Sequence, residues 1–152
     1  MNFSPTILFA EDSDNDTLLI RCGFEKARFP FSFQFVEDGV EAVQYFTGKG
    51  KFADRERYPV PSVLLTDLRM PRMDGFELLE WVRGQAEWRN LPVIVVTGSN
   101  QVQDRKRAMD LGANFYIVKD LLMRPSQELL EAIVRCATPP AKPRTRRLHA
   151  LA

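Results

Sequence analysis

Four short apolar runs, each ending on a polar residue, frame this chain. Ile7-Leu8-Phe9-Ala10 meets Glu11-Asp12, and Val63-Leu64-Leu65-Thr66 meets Asp67. Val93-Ile94-Val95-Val96 meets Thr97, and Phe115-Tyr116-Ile117-Val118 meets Lys119. Such runs read as strands buried on both faces of a parallel sheet. A fifth stretch differs. Phe31, Phe33 and Phe35 alternate with Ser32, Gln34 and Val36, a period of two that suits a half-exposed edge strand.

Helical patterns separate the runs. Ser13-Asp14-Asn15-Asp16 offers N-caps for a helix to about Lys26. Asp38 with Glu41 resembles a capping box ahead of Ala42, Val43 and Phe46, and Gly48 ends that helix. Gly48 to Pro61 reads as a charged surface loop. Phe76, Leu79, Val82 and Ala86 recur at helical spacing. Asn100 with Gln103 caps a helix ending at Leu111-Gly112. Ser126 opens a last helix that buries Leu129, Leu130, Ile133 and Val134 and stops at Thr138-Pro139-Pro140. Five strands alternating with five helices predict an α/β domain: a doubly wound, flavodoxin-like (βα)5 sheet with order 2-1-3-4-5. The domain is expected over residues 1–137, with a basic, Pro- and Arg-rich, disordered tail over 138–152.

Composition narrows the chemistry. The net charge is +1, yet the tail holds Lys142, Arg144, Arg146 and Arg147 and no acid, so the domain is mildly acidic. No apolar run reaches the ~20 residues of a membrane span. Met1-Asn2-Phe3-Ser4-Pro5 does not read as a secretory signal, which points to the cytoplasm. Cys22 and Cys136 are too few for a disulfide framework and read as core thiols. The one histidine, His149, lies in the tail, which excludes a His-dependent catalytic pair inside the domain. Trp81 and Trp88 are expected on helix surfaces or at an interface, and the Phe stripe in the core.

In an open α/β sheet, ligands bind outside the carboxyl ends of the strands. Glu11, Asp12 and Asp67 therefore share one rim with Thr97 and Lys119. Clustered carboxylates repel unless a cation sits among them, and oxygen-only ligands favour a hard ion, Mg²⁺ first. An Asp carboxylate can act as nucleophile toward a phosphoryl group. Such transfer needs positioning and charge neutralisation above all. Lys119 supplies charge, and the Thr97 hydroxyl can bond a phosphoryl oxygen.

At these residues the chain resembles two-component response-regulator receiver domains. The motifs are Glu11-Asp12, Thr66-Asp67-Leu68-Arg69-Met70-Pro71-Arg72-Met73-Asp74-Gly75, Val96-Thr97-Gly98 and Tyr116-Ile117-Val118-Lys119, and the resemblance spans about residues 6–137. It implies that Asp67 accepts a phosphoryl group from a histidine kinase or phosphotransfer protein. It implies Mg²⁺ held by Asp12, by Glu11 through water, by Asp67 and by the Arg69 backbone carbonyl. Thr97 and Tyr116 would couple phosphorylation to the surface of the last two helices and the fifth strand, a dimer face in the family. Arg69 and Ser99 would flank the phosphoryl group and tune its slow loss. The loop before the third strand is similar to one in cyanobacterial phytochrome response regulators, which makes a photoreceptor kinase a candidate partner.

The chain departs from that pattern twice. Asp120 stands where the family has proline after the lysine. A cis bond before a non-proline residue costs ~2.5–4 kcal/mol, so a trans Lys119–Asp120 bond is expected. Nothing after Cys136 is long enough for a DNA-binding or enzymatic output module, so a stand-alone regulator is expected. Among other functions, a constitutive adaptor is disfavoured by the intact acidic, Thr and Lys positions. A haloacid-dehalogenase-like phosphohydrolase would need a second Asp where Arg69 stands. A flavin phosphate would be repelled by Glu11-Asp12-Ser13-Asp14. The basic tail reads as a solvated segment rather than an anion-binding arm.

Overall fold

The computed structural model describes residues 4–119 and 126–138. Five parallel strands form one sheet in the order β2-β1-β3-β4-β5, as the sequence predicts. They are β1 (Thr6–Ala10), β2 (Ser32–Val36), β3 (Val63–Thr66), β4 (Val93–Thr97) and β5 (Phe115–Val118). The helices are α1 (Asp14–Lys26), α2 (Gly39–Thr47), α3 (Gly75–Gly84), α4 (Val102–Asp110) and α5 (Gln127–Ala137). Every residue of β1, β3 and β4 is buried, whereas β2 at the edge is buried only at Val36. The continuous apolar runs and the alternating Phe stretch thus mark central and edge positions respectively.

Alternate strand residues feed two cores. Leu8, Leu64, Val93 and Val95 pack with Tyr45, Phe46, Phe76, Leu79 and Trp88. Ile7, Phe9, Leu65 and Ile94 pack with Ile20, Phe24, Leu129 and Ile133 on the other face. Caps fix where the helices start. Ser13 accepts from the Asp16 N–H (3.2 Å), Asp38 from Glu41 (2.8 Å) and Ser126 from Leu129 (3.1 Å). Asp74 and Glu77 form a full capping box on α3.

Several local expectations are corrected. Cys22 is exposed on the outer face of α1 rather than in the core, whereas Cys136 is half-buried and packs against the core. Asn100 does not cap α4; Gln101 occupies that place and gives no side-chain bond. Ala86 lies beyond α3 and is exposed, and Val134 is exposed on α5. Trp88 is in the core, its ring tilted 53° against Phe46 with centroids 5.0 Å apart, and Trp81 packs against that core. The Lys119–Asp120 bond and residues 139–152 of the expected tail lie outside the described residues.

The segment from Gly48 to Pro61 is more than a surface loop. It contains a 3-10 helix, Gly50–Ala53, that buries Phe52 against Tyr45. Arg55 donates to the carbonyls of Tyr45 (2.8 Å) and Phe46 (2.9 Å), the open end of α2. The Tyr45 carbonyl also accepts from the Gly48 N–H (3.2 Å), so the guanidinium adds a second bond there, supplies a donor to Phe46 and opposes the helix dipole. Arg55→Ala is therefore expected to cost about 2 kcal/mol, typical of hydrogen bonds from a charged donor, read as a lower urea midpoint.

Candidate functional site

The site sits at the carboxyl ends of β1, β3, β4 and β5. Ladder bonds continue past the strand ends and fix each polar residue. The Glu11 N–H donates to the Val36 carbonyl (2.9 Å), that of Asp67 to Ala10 (3.0 Å) and that of Lys119 to Thr97 (2.7 Å). The first residue beyond each apolar run is thereby aimed at one rim.

Lys119 is the hub. Its ammonium donates to Asp67 Oδ2 (2.8 Å), to Asp16 Oδ2 (3.0 Å) and to Glu11 Oε2. Asp67 is 7% exposed, and its Oδ1 accepts from the Leu68 N–H (2.6 Å). Glu11 is buried, while Asp12 faces solvent. Carboxylate oxygens of Glu11, Asp12 and Asp67 lie within 4.8 Å of one another. Burial pushes the Glu11 carboxyl up to about 7 even though Lys119 pulls it down, and the Asp67 charge adds to the rise. Burial would lower the Lys119 ammonium, but hydrogen bonds and charge from Asp67 and Glu11 outweigh it and hold it high.

Acids therefore outnumber the one ammonium among these contacts. An oxygen-donor set with excess negative charge and one solvent-facing member fits a hard divalent cation. Glu11, Asp12 and Asp67 are the side chains that would hold it.

Structure and sequence agree on Glu11, Asp12, Asp67 and Lys119 as neighbours. Thr97 is buried, joins them through its carbonyl, and accepts from the Ser99 N–H at Oγ1 (3.3 Å). Tyr116 is 6% exposed and its hydroxyl donates to the Ser99 carbonyl (2.9 Å). The Arg69 guanidinium binds Asp104 (3.2 Å), and Ser99 Oγ donates to the same carboxylate (2.6 Å).

Two residues escaped the sequence reading. Asp16 resembled one more cap in an acidic run, yet α1 turns it back onto Lys119. Asp104 carries no distinguishing sequence signal, and only its burial reveals it. A buried acid in the first turn of a helix needs partners, which spacing alone does not supply.

The family model for the response regulator receiver domain matches residues 7–134. Among solved structures, response regulator RPA3017 in red light signaling of R. palustris is 36% identical, with a TM-score of 0.75, over 85% of this chain and 88% of that one. The phosphorylated cyanobacterial phytochrome response regulator RcpA is 27% identical, with a TM-score of 0.72, over 86% and 89%. Response regulator Rcp1 of Synechocystis sp. is 26% identical over 127 residues, 84% of each chain. Its Mn²⁺-bound form superposes with a TM-score of 0.69, over 85% of this chain and 88% of that one.

Proposed function

This chain belongs to the response regulator receiver domain family, and on that premise we propose that Asp67 is its phosphoacceptor. The observation that carries this reading is the buried Asp67 carboxylate, gripped by Lys119 and flanked by Glu11 and Asp12. In the transfer, an Asp67 oxygen bonds to phosphorus of a donor phosphohistidine. The P–N bond breaks, and its electron pair returns to the donor imidazole. Lys119 neutralises charge on the transferred group, and the Thr97 hydroxyl turns from the Ser99 N–H to a phosphoryl oxygen. The cation we assign is Mg²⁺, which Glu11, Asp12, Asp67 and the Arg69 carbonyl would hold; bound there, it would add charge neutralisation.

The donor is a histidine kinase or phosphotransfer protein. The likeness to RPA3017 and RcpA supports a phytochrome-type photoreceptor kinase. Phosphorylation then switches a protein-binding surface, with Thr97 and Tyr116 linked through Ser99. Val102, Met109, Val118 and Val134 are exposed apolar residues on α4, β5 and α5, which supports homodimerisation through that face. The domain reading of residues 1–137, the single-domain role and a cytoplasmic location belong to the same proposal. No helix among the described residues is long and apolar enough to cross a membrane.

Incubation with acetyl phosphate is expected to add one phosphoryl group by intact mass, only with Mg²⁺ present and not in Asp67→Asn. No adduct, with no Mg²⁺ binding, would leave a constitutive adaptor.

A further inference from the structure

We propose that Asp104 is a positioning residue that shortens the life of the phosphoryl group by keeping Arg69 and Ser99 engaged elsewhere. The proposal rests on Asp67 as phosphoacceptor. Asp104 stands in the first turn of α4 with its side chain only 12% exposed. One carboxylate takes both the Arg69 guanidinium, at 3.2 Å, and Ser99 Oγ, at 2.6 Å. These donors come from the loops that follow Asp67 and Thr97, each two residues on.

Ser99 is committed at every polar atom. Its N–H donates to Thr97 Oγ1 and its carbonyl accepts from Tyr116. Its hydroxyl donates to Asp104 and accepts from the Gln101 N–H at 3.3 Å. Gln101 gives α4 no side-chain cap, and its own N–H is held by Ser99 at the start of the helix. A buried carboxylate needs such partners, and an acid in the first turn also complements the helix dipole. Asp104 thus ties α4 to both loops that border the acidic rim.

Loss of the phosphoryl group is a hydrolysis. Water oxygen bonds to phosphorus while the P–O bond to Asp67 breaks. The electron pair of that bond returns to the Asp67 carboxylate, and the proton of water passes to phosphate or solvent. The step requires an open line of approach opposite the Asp67 oxygen. With Asp104 in place, a guanidinium and a hydroxyl are bound to α4. Released, both are drawn to the phosphoryl dianion by charge-assisted hydrogen bonding, and they obstruct the incoming water.

The test loads the full chain with acetyl phosphate and Mg²⁺, removes the donor by rapid desalting and follows the adduct by intact mass. Asp104→Asn is expected to lengthen the half-life about tenfold, the scale of one charge-assisted hydrogen bond. Asp104→Glu, which keeps the carboxylate, stays near the unsubstituted protein. Adding Arg69→Ala to Asp104→Asn returns the half-life toward the original, a coupling that simple loosening of α4 would not produce. Asp104→Asn keeps the side-chain shape, and a thermal melt checks that it folds. An unchanged half-life in Asp104→Asn, or one that Arg69→Ala does not shorten, overturns the proposal while the phosphoacceptor reading stands. Failure of the unsubstituted chain to load overturns both.

Discussion

Gly75→Ala is expected to destabilise the fold by about 3 kcal/mol, the upper end of the overpacking range, and to abolish phosphoryl loading. A Cβ at Gly75 would lie 2.0 Å from the Asp67 carbonyl oxygen and 2.9 Å from Leu68 Cα. Both obstacles are backbone and cannot swing aside. The Asp67 N–H is tied to the Ala10 carbonyl at 3.0 Å, and the Gly75 N–H is tied to the Leu68 carbonyl at 2.9 Å. Alanine would otherwise favour the helix by roughly 0.5–1 kcal/mol, so the clash wins. Any relief must move the backbone that carries Asp67. Gly84, at the far end of the same helix, is the control, since a Cβ there meets nothing within 4 Å. Gly84→Ala is expected to stabilise by about 0.5 kcal/mol. Urea unfolding of both variants, with loading measured at a urea-free folded fraction, checks the pair. Equal small effects at the two positions would show that the β3–α3 connection yields.

Lys119→Met should cost about 3 kcal/mol at neutral pH in chelator and cut phosphoryl loading at least ~100-fold. The Lys119 side chain is 10% exposed, and its ammonium serves Glu11, Asp16 and Asp67 together. Without it, Glu11 and Asp67 remain buried with no cation. Added Mg²⁺ is expected to restore stability in part, because an ion bound only by the folded chain shifts the equilibrium toward it. Loading is expected to stay low, since the ammonium that Asp67 Oδ2 accepts from is gone. Chemical denaturation with and without Mg²⁺ measures the first effect and intact mass the second. No rescue by Mg²⁺ would remove the carboxylates as its ligands.

The same crowding gives a pH dependence. The Glu11 carboxyl is pushed up to about 7 from 4.5. Its protonated form therefore favours the folded state, and the contribution is full below 4.5 and lost as pH rises through about 7. Glu11→Gln removes that loss. Its stability margin over the unsubstituted protein, in chelator, should widen across this interval in denaturation curves at stepped pH.

The apolar runs and their polar ends determined much by themselves. A continuous Val/Ile/Leu run is stable only between two layers of helices, so β1, β3 and β4 were legible as central strands. Alternation placed Phe33 and Phe35 on an edge. Parallel strands send their carboxyl ends to one rim, so Glu11, Asp67, Thr97 and Lys119 could be placed together before any distance was known. Tertiary structure alone decided what depends on the angle at which elements meet. The rotation of α1 brings Asp16 onto Lys119, although the local sequence reads only as an acidic cap. The packing of α4 buries Asp104 against Arg69, and the charged 48–61 segment buries Phe52 and caps α2 with Arg55. Periodicity fixes which face of an element is apolar. It does not fix which long polar side chain will find a partner across 35 or 103 residues of chain, because that pairing is set by the assembled backbone.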